Sequence, residues 1–223
     1  MVMTETELPK NWQNILDIDI SISCINKCIE IINEKRSKGI EIYPTNKNIF
    51  RAFKKCGYQQ TKVVIFGQDP YHQFGIADGL AFSSGIESKV PASLQNIFKE
   101  IKNDIGFIHN TKSNLDSWAK QGVLLLNTSL SVEHGKPNSH RNIGWSNLIN
   151  AVIKSLSDKG KVVFMLWGNE AAKIEALIDC KKNYVLRSSH PSPLSAHVSF
   201  FGCKHFSMAN KYLKANNINT INW

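Results

Sequence analysis

Short apolar runs recur along this chain, separated by longer stretches in which apolar positions fall three or four residues apart. Val63-Val64-Ile65-Phe66, Val123-Leu124-Leu125-Leu126, residues 161–167 (KVVFMLW) and Tyr184-Val185-Leu186-Arg187 are too short for helices. Runs of this kind read as strands buried on both faces of a parallel sheet. Between them the spacing predicts helices: 11–16; 20–38, with Ile20, Ile22, Cys24, Ile25, Cys28, Ile29, Ile31 and Ile32, stopped by Gly39; 48–56, with Phe50 and Phe53. More follow after Pro91, on Leu94, Ile97, Phe98 and Ile101, and from an Asn114 or Asp116 cap through Trp118. The remaining helices cover 146–157 and 169–178, and a last one opens at 200–203 and carries Phe206, Met208, Ala209 and Tyr212. Residues 80–84 read as a short extended piece. Strands alternating with helices imply right-handed βαβ crossovers. The expected fold is α/β: three layers, α/β/α, around a central, mostly parallel four-stranded sheet. It forms a single domain over residues 1–223, with 1–10 a flexible N-terminal tail.

Each strand in this scheme ends in a loop rich in polar residues. Gln68-Asp69 follow the first strand, Asn127 ends the second, Gly168-Asn169 follow the third and His190 follows the fourth. Loops at the carboxyl edge of one parallel sheet converge, and open α/β sheets place ligands there. The first of these loops, Gly67-Gln68-Asp69-Pro70-Tyr71-His72, sets a carboxylate, a phenol and an imidazole on a segment that Pro70 stiffens. The fourth, Ser188-Ser189-His190-Pro191-Ser192-Pro193-Leu194-Ser195, is stiffened by two prolines.

A formal net charge of +9 favours a polyanionic partner, nucleic acid being the obvious one, although charge alone does not decide it. No run approaches the roughly 18 apolar residues that cross a membrane. The polar stretch 1–10 has no apolar core of a signal peptide. Five scattered cysteines (Cys24, Cys28, Cys56, Cys180, Cys203) suggest reduced thiols in a cytoplasmic or nuclear compartment. Cys24 and Cys28 share a helical face, which without further ligands nearby favours core packing over metal binding.

The hexapeptide Gly67-Gln68-Asp69-Pro70-Tyr71-His72, the run Leu124-Leu125-Leu126-Asn127 and the loop His190-Pro191-Ser192-Pro193-Leu194-Ser195 resemble, in that order, the signature loops of family-1 uracil-DNA glycosylases. The likeness extends over Ile42-Tyr43-Pro44, Asn138-Ser139-His140, Gly144-Trp145, Leu166-Trp167-Gly168 and residues 200–206, nearly the whole chain after Asn11. It implies hydrolysis of the N-glycosidic bond of deoxyuridine in single- or double-stranded DNA, after flipping of the base, with no metal or organic cofactor. Asp69 would stabilise the cationic sugar and orient water, and His190 would hold the leaving uracil at O2. Phe82 would stack on the base and Asn127 would read its O4 and N3–H. Tyr71 would exclude a 5-methyl group, and Gln68 would help bind the base. His72, Ser93, Asn169, Ser192 and Ser195 would meet phosphates, and Leu194 would wedge into the vacated stack. The expected state is a monomer without membrane attachment, open to a protein inhibitor. The other reading is a DNA-binding replication accessory protein of the same fold with weak or no activity. An iron–sulfur relative would need clustered cysteines.

The chain departs from the family pattern at several loop positions. Gln73-Phe74 replaces Gly-Pro, Asp78 replaces His, Asn169 replaces Ser, and Val198-Ser199 replaces Arg-Gly. The last of these removes a cation from the groove.

Overall fold

The four apolar runs become strands of one sheet in the computed structural model, which describes residues 7–16, 18–86, 90–109 and 111–223, residues 18–22 by their backbone alone. In chain order the elements are α1 (Lys10–Gln13), α2 (Ile18–Ser37), β1 (Ile42–Tyr43), a 3-10 turn (Asn46–Asn48), α3 (Arg51–Lys55) and β2 (Val63–Gly67). Then come α4 (Ala92–Ile105), α5 (Asp116–Lys120), β3 (Val123–Asn127), β4 (Val132–Glu133), α6 (Trp145–Lys159) and β5 (Val163–Trp167). The chain finishes with α7 (Asn169–Ala172), a second 3-10 turn (Lys173–Leu177), β6 (Tyr184–Ser188), α8 (Ala196–Ser199) and α9 (His205–Ala215).

The sheet runs β3-β2-β5-β6 with every neighbouring pair parallel, as the strand–helix alternation predicts. β2, β3 and β5 are buried at every position, because helices cover both faces; the edge strand β6 is not. α2 packs on α6, and α4 packs on α9. The chain leaves β2 toward β3 on one side and returns to β5 on the other. The loops therefore part at the carboxyl end of β2, which opens a crevice there. All five tryptophans are buried.

α4 buries Leu94, Ile97 and Ile101, and α2 ends as expected, with Gly39 and Ile40 bonding back to Arg36 and Lys35. Cys28 is buried and donates its thiol to the Ile143 carbonyl at 3.4 Å, so it packs in the core. The side chains of Ile20 and Ile22, and residues 1–6 of the expected tail, lie outside the described residues; Leu8 is already buried.

Several expectations need correction. Residues 80–84 are a turn rather than an extended piece: Phe82 has φ +64°, and only an isolated bridge joins Ala77 to Ser84. The cause is Asp78, whose carboxylate takes the Leu80 N–H at 3.0 Å and the Ser83 hydroxyl at 2.6 Å and so folds the segment over itself. The last helix opens at His205 rather than at 200–203, because the Glu100 carboxylate claims the backbone N–H groups of Gly202 (2.7 Å) and Lys204 (3.1 Å). The helix over 169–178 splits into α7 and the tighter Lys173–Leu177 turn, where Glu175 is tied sideways to Arg187. The one over 48–56 likewise narrows to α3 behind the Asn46–Asn48 turn, and the one over 11–16 becomes α1. The antiparallel pair β1–β4 is an addition; two residues per strand leave no alternation to read.

Candidate active site

Gly67 and Asn127 are register partners at the carboxyl ends of β2 and β3. Their approach explains the glycine: a Cβ at position 67 would stand 2.1 Å from Asn127 Oδ1 and 3.0 Å from Ala81 Cβ. The side chain of Asn127 is buried, yet its amide binds no protein group among the described residues. The amide faces the cavity described below and is not sealed within protein, so its donor and acceptor are open to a ligand there. The chain after Gly67 is fixed by its backbone: Thr128 N–H binds Gly67 O, Ser129 N–H binds Gln68 O (both 3.0 Å), and the Thr128 hydroxyl adds a bond to Gln68 O at 2.8 Å.

Asp69 accepts the backbone N–H of Asn138 at Oδ2 (2.7 Å) and the Gln68 amide at Oδ1 (3.2 Å). Both donors point the carboxylate rather than neutralise it. Asn138, with φ +64°, comes from the segment after β4, which also sends the Gly135 N–H to His72 O at 2.9 Å. Asp69 and His72 are therefore braced from outside their own loop. His72 Nδ1 is buried without a partner among the described residues.

His190 follows β6, and its Nδ1 accepts the Ser192 N–H at 3.0 Å. An accepting Nδ1 assigns the ring proton to Nε2 in the neutral form. Burial lowers its pKa below the usual imidazole value, which keeps the ring neutral near pH 7. Gly168 makes room for it: a Cβ there would meet His190 Cβ at 3.0 Å. Phe82 sits between His190 and Trp167, with ring centroids 5.7 and 5.5 Å away. Its left-handed backbone is sterically costly for an aromatic residue, about 1–2 kcal/mol. The turn around Asp78 holds it there, as does Ala81 N–H on Leu125 O at 3.1 Å. Asp78 is in turn bound by Arg51 at 2.9 Å, and Arg51 also reaches Asp116 at 2.6 Å. The Tyr71 hydroxyl donates to Phe82 O at 3.2 Å, and burial pushes the phenol pKa up, so it stays protonated.

These side chains share one cavity of about 170 Å³. Gln68, Asp69, Tyr71, His72, Phe82, Ser93, Asn127 and His190, all picked from sequence, line it together. Asn169, Ser192, Leu194 and Ser195 are not among its lining residues. Asn169 is exposed at the first position of α7, and Leu194 is 89 % exposed at the tip of its loop. The Ser195 hydroxyl donates inward to His190 O (2.9 Å), whereas Ser192 Oγ accepts the Leu194 N–H (3.3 Å) and keeps its own proton free. Sequence reasoning missed two supports. The Asn138 N–H is a backbone group and carries no residue signal. Asp78 reads as half of an Asp-Gly turn, and its buried partners are invisible locally. Among the described residues no group of three or more His, Cys, Asp or Glu is placed to hold a metal ion, and no helix is long and apolar enough to cross a membrane.

Comparison with known proteins matches residues 53–214 to the uracil DNA glycosylase superfamily. The chain is 45% identical over 219 residues to a uracil-DNA glycosylase of Fusobacterium nucleatum, covering 98% of this chain and 96% of that one. It is 53% identical over 187 residues to the one of Amoebophilus asiaticus, covering 83% and 85%. Among solved structures, a mimivirus UNG variant in complex with UGI superposes with a TM-score of 0.88 at 26% identity, over 96% of this chain and 88% of that one. The mimivirus uracil-DNA glycosylase alone gives 0.83 at 25% identity, over 95% and 88%.

Proposed function

Because the chain belongs to the uracil-DNA glycosylase superfamily, we propose a division of labour among its residues for removing uracil. The protein is an N-glycosyl hydrolase: it breaks the bond between uracil and deoxyribose in DNA, releases free uracil, leaves an abasic site and so begins base-excision repair. The uridine turns out of the helix into the cavity, since the reacting carbon is inaccessible inside a stacked duplex. Phe82 takes the face of the base. Asn127 donates to O4 and accepts from N3–H. Cytosine presents the reverse pattern and would leave both partners unpaired in a buried site. Tyr71 fills the space beside C5, which a thymine methyl group would need, and Gln68 closes the base site.

As the C1′–N1 bond breaks, its electron pair leaves with uracil and positive charge grows on the sugar. Asp69 faces that charge and orients the water that attacks C1′, taking its proton. The neutral His190 donates Nε2–H to uracil O2 and holds the developing anion. The observation that carries this reading is the single cavity in which Asp69, the unpaired Asn127 amide and the neutral His190 meet. Ser93, Ser192, Asn169 and His72 have donors for phosphates, while Ser195 reaches one only by releasing His190 O. Leu194 enters the gap left by the base.

The proposal extends to a single domain acting as a monomer in the cytoplasm, without metal or organic cofactor. The free cysteines support a reducing compartment, and one chain supplies the whole cavity. A protein inhibitor is a further partner, supported by the mimivirus UNG complex with UGI. The test is a 5′-labelled oligonucleotide with one uracil, incubated with EDTA and then alkali. Cleavage at the uracil, absent with thymine or cytosine, is the expected result; no cleavage, or cleavage only when metal is restored, rejects the scheme.

A further inference from the structure

Phe74 is 77 % exposed, the largest exposure of any aromatic residue among those described, and it lies between two residues, His72 and Ala77, that line the cavity. Its segment is held, not loose. Ile76 N–H binds Gln73 O at 3.4 Å, Gly85 N–H binds Ile76 O at 2.9 Å, and Ala77 bridges to Ser84. An apolar ring is thus presented to solvent on a braced turn whose flanking residues, His72 and Ala77, line the cavity. A DNA strand that places uridine in the cavity carries its neighbouring nucleotides over this rim. Flipping unstacks those neighbours, and every base has an apolar face that an aromatic ring can cover.

We propose that Phe74 is a stacking platform for a base adjacent to the flipped uridine on the same strand, a binding contact additional to the cavity. This rests on the uracil-excision reading above. The platform serves single-stranded DNA most, because there no complementary strand competes for the unstacked base. It recognises a π-face and not a hydrogen-bonding edge, so it is indifferent to sequence.

The test measures kcat and KM on single-stranded oligonucleotides carrying one uracil, with either normal neighbours or abasic tetrahydrofuran spacers on both sides. For Phe74→Ala, KM on the normal strand should rise on the order of tenfold with kcat little changed. Phe74→Trp should restore it. On the spacer strand the wild type should lose the same factor and become indistinguishable from Phe74→Ala. Equal KM for wild type and Phe74→Ala on the normal strand overturns the proposal. A defect in Phe74→Ala that persists undiminished on the spacer strand also overturns it, since the ring would then act on something other than a base. Wild-type turnover in the same assay reports the excision reading separately.

Discussion

The two edges of the central sheet treat their polar groups in opposite ways. At the amino edge, Lys159 donates Nζ to the carbonyls of Tyr58, Gln59 and Thr61 at 3.0, 3.0 and 2.8 Å. Lys62 reaches Asn219 O at 2.8 Å, and Asn183 binds Val162 N, Ser157 O and Asp179 O. At the carboxyl edge His72 Nδ1 is buried and unpaired among the described residues, the Asn127 amide lines the cavity, Phe82 is held at φ +64°, and the half-buried His190 accepts only the Ser192 N–H at Nδ1. The same strands end in both places, so strand chemistry does not explain the contrast. At the amino edge Lys159, Lys62 and Asn183 close the turns with their own side chains. In the proposed division of labour the carboxyl edge is left for uracil to complete, and the stability forgone there serves recognition.

The largest break in that contrast comes from Asp69→Asn. Removing the charge should lower excision about a thousandfold while binding to uracil-containing DNA, read by fluorescence anisotropy, persists. Near-normal turnover would mean that another group faces the sugar cation. Gly67→Ala comes next. It puts a methyl group on Asn127 Oδ1, and single-turnover excision should fall about a hundredfold through misplacement of the amide. An unchanged rate would show that Asn127 need not sit where it does.

The third test uses pH. His205 accepts the Trp167 indole N–H at 2.9 Å, and Trp167 supports Phe82. Burial holds the pKa of His205 at about 4, against an ordinary 6.5, and lowers those of His190 and His140 as well. The unfolded chain therefore binds protons between about 6.5 and 4 that the folded chain refuses. Stability present above pH 6.5 should be lost as pH falls through that window, about 3 kcal/mol from His205 once pH is below 4. Urea titrations at stepped pH read this directly, and a flat profile would place these rings in contact with solvent. The smallest effect belongs to the closed edge: Lys159→Met should cost about 1–2 kcal/mol of unfolding free energy and leave kcat unchanged. A loss of turnover without a loss of stability would erase the distinction between the edges.

The four strands and their order of alternation with helices were legible in the apolar runs, although β6, read as buried on both faces, is a partly exposed edge strand, and the carboxyl-edge loops followed from parallel geometry. So did the convergence of Asp69, Asn127 and His190, which lie far apart in sequence. The rest was hidden for definite reasons. Phe82 looks extended because its conformation is imposed by Asp78, itself held by Arg51 from another element. The start of α9 is displaced by Glu100, a residue of α4 about a hundred positions earlier. The N–H that steers Asp69 belongs to the backbone of Asn138, where no side chain announces it. Local pattern reads what neighbours in sequence decide, and these features are decided by neighbours in space.

An NMR titration of the ¹⁵N-labelled protein with free uracil at pH 7 tests most directly whether the carboxyl edge is an unfilled receptor. The side-chain NH₂ of Asn127 and the ring of His190 should move together to saturation, with His190 Nδ1 remaining an unprotonated acceptor from Ser192. Saturation elsewhere with the Asn127 amide unmoved, or an imidazolium signal at His190, would contradict it.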